Sequence, residues 1–132
     1  MSDVVLDASA LLALLDREPG YEAVAAVMPG ALLSTVNLSE VLGKLVDRGV
    51  PVAVAARVAE AVGATVVDLD TETAVEAAAL RQATRGAGLS LGDRACLALA
   101  RQRGLPALTT DAAWERVASA VGVDVRNIRP RP

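Results

Sequence analysis

Val4-Val5-Leu6-Asp7-Ala8-Ser9-Ala10-Leu11-Leu12-Ala13-Leu14-Leu15 is the stretch on which the fold turns. Residues 4–6 form a short unbroken apolar run, the pattern of a strand covered on both faces. The Ala- and Leu-rich run after it reads as a helix that Ser9 is placed to cap. Asp7 stands between the two, an acid at the carboxyl end of a buried strand. A strand that leads straight into a helix is the opening of a β–α unit, and repeated units of that kind build a parallel sheet covered by helices.

Outward from this stretch the alternation continues. Residues 21–28 read as a helix closed by Pro29 and Gly30, 31–33 as a strand, and 37–48 as a helix stopped by Gly49. Pro51 suits the start of a helix over 52–62, which Gly63 ends. A strand over 64–67, helices over 71–85 and 90–103, a strand over 107–109, a helix over 112–120 and a strand over 123–125 complete the series. Residues 126–132, with three Arg and two Pro, read as a loose tail. The expectation is one α/β domain over 1–132, a three-layer α/β/α sandwich around a mostly parallel sheet of four to five strands.

Composition narrows the chemistry. With no His among 132 residues, a Ser-His-Asp triad, an imidazole base and a His-ligated zinc are excluded. One Cys makes neither an internal disulfide nor a thiolate cluster, so nothing argues for an oxidising compartment. One Trp and one Tyr cannot supply the stacking platforms of sheet-based RNA readers. No window is apolar enough for a membrane span and the start lacks a basic leader, which points to the cytoplasm. The mean hydropathy of +0.41 has two readings, Ala content or apolar surface covered by another chain.

The net charge of −3 hides an asymmetry. Residues 1–76 hold 12 acids against 4 bases, whereas 77–132 hold 4 acids against 9 bases, all Arg. Arg81, Arg85, Arg94, Arg101 and Arg103 fall near one helical region, where they are either a solvated face or, for Arg81, Arg85 and Arg94 above all, contacts for phosphate.

Four acids stand where a parallel sheet places its ligands, beyond the carboxyl ends of strands. Asp7 follows the first strand, Glu40 opens the helix after the second, Asp93 opens the helix over 90–103, and Asp111 follows the strand over 107–109. Each has a local explanation: Asn37 with Glu40 and Ser90 with Asp93 fit a capping box, and Asp7 and Asp111 suit helix caps. Taken together they converge on one rim. Acids crowded without a counterion raise one another's pKa, a conflict that a divalent cation relieves. Oxygen-only ligation selects Mg²⁺ or Mn²⁺, and phosphodiester hydrolysis by metal-activated water is the chemistry that follows. Other acid-based phosphate sites fit less well. Asp7-Ala8-Ser9 lacks the second acid of a haloacid-dehalogenase motif, Lys44 is misplaced for a response-regulator receiver, and no Gly-rich nucleotide loop is present.

Four segments then carry a family resemblance: Val4-Val5-Leu6-Asp7-Ala8-Ser9-Ala10-Leu11, Asn37-Leu38-Ser39-Glu40-Val41, Leu89-Ser90-Leu91-Gly92-Asp93-Arg94-Ala95-Cys96-Leu97-Ala98-Leu99-Ala100, and Leu108-Thr109-Thr110-Asp111. In this order and at these separations the chain resembles the PIN-domain family, and within it the VapC-type toxins of bacterial toxin and antitoxin pairs, over nearly its whole length. The resemblance implies a Mg²⁺- or Mn²⁺-dependent endoribonuclease held in check by a cognate VapB-like antitoxin and forming a homodimer. It makes Asp7, Glu40, Asp93 and Asp111 the catalytic metal site, with Ser9, Asn37 and Thr109 as supporting polar residues. Residues 11–15 and 41–46 become candidate partner surface. Trp114 and Cys96 read as packing residues. The competing reading is a PIN module that binds RNA or protein without hydrolysis.

Overall fold

The computed structural model describes residues 3–130. Five strands, β1 (Val5–Leu6), β2 (Leu32–Ser34), β3 (Thr65–Val67), β4 (Ala107–Thr109) and β5 (Val125–Asn127), form one sheet in the order β3-β2-β1-β4-β5, parallel throughout. The chain therefore builds β1, β2 and β3 to one side and then crosses back to lay β4 and β5 on the other. The order reverses between β1 and β4, and a crevice opens there beyond their carboxyl ends.

The alternating faces of such short strands feed two cores. Leu6, Leu33 and Leu108 pack with α1 (Ala8–Asp16), α2 (Tyr21–Ala25), α3 (Thr35–Asp47) and α4 (Val52–Val62). Val5, Leu32 and Ala107 pack on the other face with α5 (Thr71–Ala79), α7 (Leu91–Arg103), α8 (Ala118–Val121) and Trp114. A short helix, α6 (Arg81–Thr84), lies between α5 and α7. Two cores on one sheet give the three layers that the alternation of strands and helices predicts. Burying each large aliphatic side chain contributes about 1.5–3 kcal/mol, and Leu6, Leu11, Leu32, Leu33 and Leu97 are all fully covered.

Local chemistry changes several boundaries. The helix predicted over 71–85 breaks at Leu80 and ends in a 3-10 turn over Arg85–Ala87, closed by Gly88 in the left-handed region (φ 67°). The helix predicted over 112–120 is instead a 3-10 turn (Ala112–Arg116) followed by α8, with fully buried Trp114 anchoring the turn. The last strand lies at 125–127 rather than 123–125. Arg126 and Asn127, read as tail, pair with Leu108 and Thr109 of β4. Of the two caps read for α1, Asp7 forms it and Ser9 does not, as its hydroxyl turns to the Asp7 carboxylate instead; α3 is capped by Ser34, not Asn37. Of the candidate partner surface, Leu11, Val41 and Leu45 are buried in the core, whereas Val46 is 44% exposed.

Candidate functional site

Asp7, Glu40, Asp93 and Asp111 come from four separate elements and line one cleft of about 210 Å³. Asp7 leaves β1 and caps α1, Glu40 lies on α3, Asp93 opens α7, and Asp111 follows β4. Parallel strands point all their carboxyl ends one way, so side chains more than a hundred residues apart share the rim.

Asp7 is the buried member, 3% exposed. Its Oδ1 accepts from the Ala10 N–H (2.8 Å) and the Ser9 hydroxyl (2.7 Å), and its Oδ2 accepts from the Thr109 hydroxyl (2.6 Å). Thr109 Oγ1 in turn accepts from the Asp111 N–H (3.0 Å), and Ser9 Oγ accepts from the Thr110 N–H (3.0 Å). Ser9 and Thr109 thus lock β1 to the loop after β4. Burial pushes the Asp7 carboxyl up to about 6; hydrogen bonds from Thr109, Ala10 and Ser9 oppose that rise, and the nearby Asp93 charge adds to it.

Glu40 is held by a different device. Asn37 Nδ2 donates to Glu40 Oε1 (2.9 Å) and to the Gly92 carbonyl (3.1 Å), tying α3 to the first turn of α7. The Glu40 carboxylate lies where a Cβ on residue 92 would sit, so only glycine admits it there. Asn37 Oδ1 is buried without a hydrogen-bond partner. The Asn37–Glu40 pair therefore joins two helices instead of capping one.

The other two acids serve as caps while lining the cleft. Ser90 and Asp93 form a capping box in which Asp93 Oδ2 accepts from the Ser90 N–H (2.9 Å). Asp111 Oδ1 accepts from the Ala113 N–H (2.9 Å). Each keeps a second carboxylate oxygen outside its cap. No group of three or more acids among the described residues stands ready to hold one ion together. Their fields nevertheless converge: the buried Cys96 thiol, one turn along α7 from Asp93, is pushed up first by burial and then by the charges of Asp7, Asp93 and Glu40.

Lys44 lines the same cleft. Misplaced for a receiver domain, it stands four residues after Glu40, a spacing that places both on one face of α3. No local pattern marks Gly92, since nothing in a capping sequence announces a carboxylate from another helix. Arg81, Arg85 and Arg94 lie in a second cleft, of about 270 Å³, across the first turn of α7, whereas Arg101 and Arg103 do not line it. An apolar groove lined by Leu33, Leu38, Leu42, Ala59 and Val66 runs beside the edge strand β3. Among the described residues no helix is long and apolar enough to cross a membrane.

The sequence matches the family described as PIN domain over residues 4–120. No curated protein matches it. Among solved structures, the chain is similar to the DNA-bound VapBC of Salmonella typhimurium, with a TM-score of 0.75 at 18% identity, covering 97% of this chain and 99% of that one. It is similar to VapC20 of Mycobacterium tuberculosis, described as a sarcin-ricin loop cleaving toxin, with a TM-score of 0.75 at 20% identity, covering 97% and 100%. A toxin-antitoxin complex from Klebsiella pneumoniae gives a TM-score of 0.68 at 22% identity, covering 83% and 87%. At these identities the likeness establishes a shared fold.

Proposed function

The chain belongs to the PIN-domain family, and from that premise we propose that it is the toxin of a toxin-antitoxin pair, a cytoplasmic Mg²⁺- or Mn²⁺-dependent endoribonuclease. The observation that carries this reading is the single cleft lined by Asp7, Glu40, Asp93 and Asp111 at the reversal of strand order. Its structural relatives include a toxin described as cleaving the sarcin-ricin loop and complexes of toxin with antitoxin, which support RNA as substrate and a VapB-like antitoxin as partner.

The donor set fits a hard divalent cation: every candidate ligand is oxygen, and burial makes an uncompensated negative charge on Asp7 costly. Asp7 and Asp93 would hold the ion, with Glu40 and Asp111 reaching it directly or through water. When bound, the ion supplies an activated water and offsets charge on the attacking and leaving oxygens of the phosphodiester. The chain's own residues prepare that cleft. Ser9 and Thr109 orient Asp7 through their hydroxyls, and Asn37 fixes Glu40 against the backbone of Gly92. Lys44 offers a cation at the cleft for a phosphate oxygen. A homodimer and a cognate VapB-like antitoxin are proposed with this reading; of the candidate partner surface over 11–15 and 41–46, Val46 is the exposed large apolar side chain.

Purified protein incubated with total RNA and Mg²⁺ should cleave it, chelator should stop cleavage, and Asp7→Asn or Asp93→Asn should lower the rate at least about a hundredfold with the fold intact. Equal cleavage by those variants would overturn the assignment. One observation favours binding without hydrolysis: no group of three or more acids among the described residues stands ready to hold one ion. RNA retention by wild type without any cleavage in Mg²⁺ or Mn²⁺ would establish that second reading.

A further inference from the structure

We propose that the cleft formed by Arg81, Arg85 and Arg94 binds a backbone phosphate of the RNA beside the one being cleaved, giving the strand a second fixed point on the enzyme. This rests on the reading of RNA as substrate and adds where a neighbouring part of the strand lies.

Three consecutive elements contribute one guanidinium each: Arg81 from α6, Arg85 from the 3-10 turn and Arg94 from α7. The break at Leu80 and the turn closed by Gly88 fold the chain back so that all three line one cleft. None of the three forms an ion pair among the described residues, where the salt bridges are Arg48–Asp16 and Arg126–Asp124. No acid is among the residues that line this cleft, so three cationic side chains are offered to an anion with no carboxylate beside them in the lining.

Arg94 is set in place before any ligand arrives. Its Nη1 donates to the Ala77 carbonyl (3.0 Å), and its Nε is buried with no acceptor. A guanidinium held by its neighbours loses less freedom on meeting an oxyanion, and planar forks match phosphate oxygens in pairs. Ser90 and Leu91, at the amino terminus of α7, also line the cleft.

The position selects nucleic acid over an acidic peptide. Ser90 lines the arginine cleft and Asp93 lines the acid cleft, yet the two belong to one capping box. A chain crossing that turn leaves the arginines and arrives directly at four carboxylates. An acidic peptide meets only repulsion there, whereas a phosphodiester strand brings the group that a metal at those carboxylates would engage.

The test is RNA binding without catalysis. A labelled single-stranded RNA of about twelve nucleotides is titrated in chelator by fluorescence anisotropy across a range of salt. Arg81 and Arg85 are exposed, so the double variant Arg81→Gln/Arg85→Gln keeps the fold. It should raise Kd about tenfold and reduce the slope of log Kd against log salt by about 0.7, the release expected for one single-strand phosphate contact. Arg94→Lys, which keeps the charge but loses the fork, should weaken binding by about threefold. The control Arg101→Gln/Arg103→Gln removes the same charge outside the cleft and should change Kd less than about twofold.

Equal losses in the double variant and its control would overturn the proposal, as would wild-type affinity in the double variant or no binding by wild type. A double variant that binds RNA normally but no longer binds the antitoxin would assign the cleft to an acidic peptide and overturn it too. Because binding is read in chelator, absence of cleavage by wild type would defeat the nuclease reading and leave this result standing. Intact cleavage with undiminished RNA binding in the double variant would defeat this inference alone.

Discussion

Asp7 sets stability against function in one side chain. Most carboxylates that cap a helix and accept several hydrogen bonds ionise below their ordinary range, but here burial outweighs the donors and lifts the carboxyl from 3.8 to about 6. Below pH 3.8 the group is protonated in both folded and unfolded chains and costs nothing. Between 3.8 and 6 the unfolded chain releases its proton first, so stability falls as pH rises, and above 6 the loss is complete at about 3 kcal/mol. Asp7→Asn should therefore raise the melting temperature of the metal-free protein at pH 7.5, with the gain shrinking toward zero near pH 4, while cleavage is abolished. Thermal melts of both proteins across that range check the sign, and an Asn variant less stable at every pH would contradict it. At this scale the sequence displayed Asp7 as an acid ending a buried strand. The resemblance named Ser9 and Thr109 as supporting residues, but no short window could display the Thr109 hydroxyl closing on Asp7, because that contact spans 102 positions.

At the scale of elements, the contact of α3 with α7 decides where Glu40 points. Gly92 is the residue that permits it, and Gly92→Ala sets two effects against each other. Alanine favours the helix by about 1 kcal/mol, whereas its Cβ takes the space of the Glu40 carboxylate. That carboxylate is the end of a flexible side chain, so it moves and the helices stay. The expected outcome is a melting temperature at or slightly above wild type with RNA cleavage reduced at least about tenfold. A variant that cleaves normally would show that Glu40 need not rest on Gly92. Strand and helix alternation was legible here because it is written in windows of a few residues, as were the caps at Ser90, Asp93 and Asp111. The cap of α3 was misread because Asn37 followed by Glu40 has the spacing of a capping box, although the chain enters that helix earlier, at Ser34. The tail was misread because Arg126 and Asn127 carry no strand signal of their own; β4 recruits them through its open edge.

Over the whole molecule, metal binding should couple to folding. An ion that binds only the folded chain at a hundred times its Kd adds about 2.7 kcal/mol, a shift of several degrees for a domain of this size. Mg²⁺ or Mn²⁺ should therefore raise the melting temperature at pH 7.5, by less at pH 5, where a protonated Asp7 competes with the ion, and very little in Asp7→Asn. An equal shift in that variant would place the ion elsewhere. The sequence by itself determined an α/β chain, four acids at the ends of successive elements, and oxygen-only chemistry, because residue type and short-range periodicity are local properties. Only the tertiary structure decided the order β3-β2-β1-β4-β5, which seats Asp7 beside the end of β4, sets Lys44 among the acids, rests Glu40 on Gly92, and gathers three arginines across one helical turn from the acid cleft. Those juxtapositions come from pairing and packing between distant segments, which no short window of sequence encodes.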